Sequence, residues 1–130
     1  ALSKLSFHNN YIRGECERKY LPNIVNQFDV AIIPYNDNWD FNKYCYPMKL
    51  YEYFYMGKPV VSTFIYELEH FSKYVKLGKN PKEFEKHIKF WLKNPLLPKS
   101  IMDLKKLSIS NSWNCKVDAI LEKIEYPVDI

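Results

Sequence analysis

Pro47-Met48-Lys49-Leu50-Tyr51-Glu52-Tyr53-Phe54-Tyr55-Met56-Gly57-Lys58-Pro59-Val60-Val61-Ser62-Thr63 reads as helix, tight turn and buried strand. Pro47 suits the first helical position, where its missing N–H would have no partner anyway. Leu50, Tyr53 and Phe54 recur at i, i+3, i+4 and give one apolar face. Gly57 is placed to take a positive φ and end the helix. Pro59-Val60-Val61-Ser62-Thr63 is then a short β-branched strand that opens at a proline, where no ladder N–H is needed. A strand following a helix this closely is an α/β signature.

Lys49 and Glu52 are three residues apart and project from one side of the first turns. Two readings stand for them. The free N–H groups and positive dipole end of the helix make an anion site. With a carboxylate one turn further in to accept sugar hydroxyls, the pair would describe a seat for diphosphate and ribose. Alternatively the two are a solvated pair on an amphipathic helix, a common and weak arrangement.

Moving outward, 130 residues with 47% hydrophobic, 17% aromatic and 26% charged side chains allow a single domain, 1–130, with a modest core. The chain opens on Ala rather than Met, which suggests a fragment or a trimmed chain. No apolar run reaches the ~18–20 residues of a transmembrane helix, and no secretory h-region occurs. The net charge of +4 sets 19 basic against 15 acidic residues, and of the basic ones only Arg13 and Arg18 are arginine. Base readout in DNA favours bidentate arginine, so sequence-specific nucleic-acid binding is not expected. The lysine excess is compatible with an anionic ligand, with a membrane surface, or with a merely solvated exterior. Cys16, Cys45 and Cys115 are distant and odd in number, read as free thiols in a reducing compartment. The histidines are scattered; only His70, beside Glu67 and Glu69, draws attention, and a surface histidine is its simpler reading.

Asn10-Tyr11-Ile12-Arg13-Gly14 is a short strand candidate closed by glycine. Leu21, Ile24, Val25 and Phe28 mark an amphipathic helix with Pro22 near its start. Val30-Ala31-Ile32-Ile33-Pro34 is a continuous apolar run that suits a parallel strand covered on both faces. Residues 35–46 form a polar and aromatic loop, long for such a connection, just past a strand's carboxyl end, where ligands bind in open α/β sheets. Its aromatics could equally pack on the sheet rim. Ile65–Phe71 is a short helix or turn, and Tyr74–Leu77 a weak fourth strand ended by Gly78. Asn80-Pro81 caps a helix whose buried face is Phe84, Ile88, Trp91 and Leu92, stopped by Asn94-Pro95. Helical patterns follow through Ile101, Leu104 and Leu107 and through Val117, Ile120, Leu121 and Ile124, with Trp113 placed to pin this pair to the rest. The fold class is therefore α/β: a partial Rossmann-like domain of about four parallel strands covered by helices, with a helical C-terminal tail.

With only Gly14, Gly57 and Gly78, the chain has no GxGxxG, Walker loop or Gly-x-Ser-x-Gly elbow. Asp37 and Asp40 are not a close Asp-x-Asp pair, and no metal or other cofactor is expected. Convergence of Asp37, Asp40 and Glu52 on one hydrolytic site has no positive support in their spacing.

Taken in order, Gly14, Tyr20-Leu21-Pro22, Phe28-Asp29-Val30-Ala31-Ile32-Ile33-Pro34-Tyr35, Asn42, Pro47-Met48-Lys49-Leu50-Tyr51-Glu52-Tyr53 and Gly57-Lys58-Pro59-Val60-Val61-Ser62-Thr63 resemble the donor-binding half of GT-B glycosyltransferases. The nearest group is the family-4-like group 1 transferases, including those that build bacterial surface polysaccharides. The likeness runs from about residue 8 to residue 125.

The resemblance implies a cytoplasmic hexosyltransferase-like enzyme, with or without peripheral contact to a membrane. It would move a sugar from a nucleotide-sugar donor to a glycan or lipid-linked acceptor, with a retaining outcome. Glu52 resembles the acid that holds the donor's ribose, and the amides around Tyr46 and Met48 would face the diphosphate. Gly14 and Glu15 match the turn bordering the nucleobase. Tyr35 and Asn42 would lie near the phosphates and donor sugar, and Lys49 would bind phosphate or only brace its helix. The family's Glu-x7-Glu pattern is not met, because Tyr44 stands eight residues before Glu52, so no catalytic carboxylate is carried over. The first strands of the donor domain and the N-terminal acceptor domain have no counterpart here, so this chain alone is expected to be inactive. The main alternative is a non-enzymatic α/β interaction module that uses the 35–46 loop for a protein partner.

Overall fold

A computed structural model describes residues 13–125. Helix α1 (Leu21–Asn26) follows a 3-10 turn at Arg18–Tyr20 and leads to β1 (Ala31–Ile33). Then come α2 (Asp40–Tyr44), α3 (Lys49–Tyr55), β2 (Val60–Thr63), a 3-10 helix at Tyr66–Phe71 and β3 (Val75–Gly78). Three helices complete the described residues: α4 (Pro81–Lys93), α5 (Pro98–Ser110) and α6 (Trp113–Glu125). The strands form one parallel sheet in the order β1-β2-β3, with Ala31 beside Val60 and Val60 beside Val75. Among the described residues the domain is thus α/β, a three-stranded parallel sheet packed with helices.

The side-chain alternation of strands divides the core. Ala31, Ile33, Val60 and Val75 share a cluster with Leu50 and Phe54 of α3 and Leu104 of α5. On the other face α4 packs on β2 and β3, and Lys76 Nζ lies 4.1 Å from the centre of the Phe90 ring. Gly57 ends α3 at φ 69°, as its position requires. Lys58 Nζ then donates to the Asn26 carbonyl at 2.9 Å and ties the end of α1 to this turn. At α4 the Asn80 cap is made: Glu83 N–H donates to Asn80 Oδ1 at 3.0 Å.

Several expectations need correction. Of the strand candidate at 10–14, residues 10–12 lie outside the described residues, and Arg13 and Gly14 are in irregular backbone. The run at Val30–Pro34 is not covered on both faces: Ala31 and Ile33 are buried, but Ile32 is 43% exposed. α4 reaches β2 and β3 and leaves the outer strand's far face open. Helix α3 starts at Lys49 rather than Pro47, because Leu50 N–H donates to the Pro47 carbonyl in a tighter i→i+3 turn. The 35–46 loop is interrupted by α2. Leu92 falls on the solvent side of α4, while Trp91 is buried. Trp113 pins nothing: it is 75% exposed, and Val117, Ile120, Leu121 and Ile124 of α6 are exposed with it.

Candidate functional site

Glu52 lies on the wall of a crevice of about 610 Å³. Met48, Tyr51, Glu52 and Tyr55 recur along one flank of α3, a stripe beside the Leu50–Phe54 face that enters the core. Leu21 and Pro22 at the start of α1 form a second wall, and Ser108, Trp113 and Lys116 from α5 and α6 a third. Ser108 Oγ donates to the Tyr51 carbonyl at 2.8 Å and clamps α5 to α3 beside the crevice. The Tyr46 and Tyr51 hydroxyls touch, and their rings stack with centroids 5.8 Å apart. Arg18 Nη2 lies 3.6 Å from Glu52 Oε1. Lys116 Nζ sits 6.0 Å from the Tyr51 ring and 5.9 Å from the Trp113 ring. Mostly apolar and aromatic walls with a few convergent polar groups are the ordinary build of a small-molecule site.

The structure brings Tyr46, Met48 and Glu52 together in this crevice and leaves the other five expected site residues out of its walls. Gly14 and Glu15 are exposed. A Cβ added at Gly14 would meet nothing within 4 Å, so no close approach demands a glycine there. Asn42 is taken up inside its own loop, where Nδ2 donates to the Asn36 carbonyl at 2.7 Å. Tyr35 packs against the core cluster, with Lys49 Nζ 5.9 Å from its ring centre. Lys49 thus lies beside Tyr35, and the Glu52 carboxylate pairs with Arg18 rather than with Lys49. The helix start is also a poorer donor than its sequence suggests, since the Leu50 N–H already has the Pro47 carbonyl.

Arg18, Tyr51, Trp113 and Lys116 were not legible as site residues. Arg18 sits in a polar run without periodicity, and Lys116 reaches the crevice only because α5 doubles back along α3. Asp37, Asp40 and Glu52 do not converge. Asp37 borders a second crevice, of about 580 Å³, over Pro34, Thr63 and Gly78 at the strand ends. Asp40 pairs with Lys43 at 3.6 Å. All three cysteines are free, and no group of metal-ligating side chains is present among the described residues. Among them, no helix is long and apolar enough to cross a membrane. His70 is exposed. His87 Nε2, not singled out in the sequence, lies 3.1 Å from the Leu77 carbonyl.

Partial burial, then contact with the Tyr51 hydroxyl and the charge of Glu67, push the Tyr46 phenol well above its ordinary 10.0. Burial first, then the charge of Glu52 and the neighbouring Tyr35, also raises Tyr53. The folded chain thus holds these protons more tightly than the unfolded chain. The stability they contribute is complete below pH 10.0 and is lost as pH rises through the raised folded values. The melting temperature is expected to fall above pH 10.0, and less steeply in Tyr46→Phe, whose ring cannot ionise. Melting curves across the alkaline range check this; equal slopes for the two proteins would contradict it.

No family model, no curated protein and no solved structure matches this chain.

Proposed function

We propose that the chain is the nucleotide-sugar-binding half of a GT-B glycosyltransferase, and that the α3 crevice is its nucleotide seat. The observation that carries this reading is Glu52, set in a crevice of about 610 Å³ beside Tyr46 and Met48. The Glu52 carboxylate accepts the ribose hydroxyls, and the tyrosine and tryptophan walls take the flat faces of the ligand. The chemistry would then rest on holding the donor and stabilising the departing diphosphate. A glycan or lipid-linked acceptor would come from the other half of the enzyme, in the cytoplasm or at the inner face of a membrane. No cofactor and no nucleic acid enters the scheme.

The test is an amide NMR titration with UDP, then GDP. Shifts are expected at residues around Arg18, along Tyr46–Met56 and at Ser108–Lys116. In Glu52→Gln, the affinity should fall about tenfold or more, because a charge-assisted hydrogen bond is lost without disturbing the core. Shifts that ignore the substitution would defeat the reading. A second reading is favoured by exposed aromatics on the loop after β1: Phe41 is 77% exposed, with Trp39 and Tyr44 close behind. Such side chains suit a protein interface. Silence toward both nucleotides would favour that module.

A further inference from the structure

The charged side chains of the crevice are Arg18, Glu52 and Lys116, two cations against one carboxylate. Arg18 and Glu52 stand 3.6 Å apart with much of both side chains in solvent. A pair at that distance, exposed and screened, is weak and easily exchanged. A guanidinium fork matches the two oxygens of a phosphate, with shorter and stronger hydrogen bonds than it makes here. We propose that Arg18 is the phosphate-reading residue of the crevice, and that it works by exchanging partners. It leaves Glu52 for the phosphates of a nucleoside diphosphate and so frees the carboxylate for the sugar hydroxyls. Lys116, held beside the Tyr51 and Trp113 rings, supplies the second positive charge.

The exchange couples the two ends of the ligand. A bare nucleoside has to compete with Arg18 for Glu52, whereas a nucleoside diphosphate brings the group that draws Arg18 away. The inference rests on the reading of the crevice as a nucleotide seat and adds its selection rule: phosphate is required before the ribose is held well.

The experiment compares UDP with uridine, and GDP with guanosine, on the 130-residue chain, R18Q and R18K. Affinities come from the NMR titration, and circular dichroism confirms each fold; Arg18 is exposed and no core contact is touched. The unaltered chain is expected to prefer the diphosphate about tenfold or more, the range of a charged hydrogen bond. R18Q should lose most of that preference while binding the nucleoside as well or better, and R18K should keep part of it. If R18Q keeps the full preference, the exchange is wrong while the nucleotide seat stands. If the unaltered chain binds none of the four ligands, the seat is wrong and the exchange falls with it.

Discussion

Phe54→Ala is expected to leave the chain barely folded. Phe54 is fully buried in the cluster that joins α3 to the sheet. Its ring meets Phe71 edge-on at 5.5 Å, Tyr74 at 6.2 Å and Tyr51 at 6.2 Å. Removing it deletes the buried area and leaves a void its rigid neighbours cannot fill, at a cost of about 3–5 kcal/mol. Against a total stability of about 5–15 kcal/mol, that is a large share. Tyr51 also lines the Glu52 crevice, so the loss should reach the site through its wall. Urea unfolding followed by circular dichroism checks the prediction, with Phe54→Leu as the milder partner. A loss below about 1 kcal/mol would mean that the ring is not packed in the core.

Gly78→Ala has the second largest expected effect, for a different reason. A Cβ at this position would stand 2.8 Å from the Phe84 backbone nitrogen and 2.9 Å from its Cα. The obstacle is the first turn of α4, so no change of rotamer relieves it. The helix must shift from the end of β3, against the Asn80 cap that holds its start. Overpacking of this kind costs about 1–3 kcal/mol. Gly78 and Phe84 both border the second crevice, whereas neither touches the Glu52 crevice. The variant should therefore unfold earlier and exchange the amides of α4 faster, with Glu52→Gln behaving in it as in the parent. An alanine variant as stable as the parent would show that α4 does not approach the strand so closely.

The helix-turn-strand of residues 47–63 was legible because each of its signals is local. Two apolar spacings, one glycine and a proline before a β-branched run need no distant partner to act. The same holds for the Asn80-Pro81 cap and for the stop at Asn94-Pro95. The candidate site was legible only in part. Glu52, Tyr46 and Met48 meet in one crevice, but Asn42 closes its own loop and Lys49 turns toward Tyr35. Spacing in a sequence says that two side chains share a helix flank; it does not say which neighbour each will find.

The sequence by itself determined the α/β class, the helices other than α2, the three strands described and the glycine that ends α3, since short-range periodicity and backbone stereochemistry suffice for these. Tertiary structure alone decided that Ile32 stays open, that the stripe on α6 is bare and that Arg18 faces Glu52. It also decided that α5 returns along α3 to set Ser108, Trp113 and Lys116 around the crevice. These outcomes depend on how far each helix reaches across the sheet and on which surfaces remain uncovered, and such contacts join residues far apart in the chain, where no local pattern carries the information.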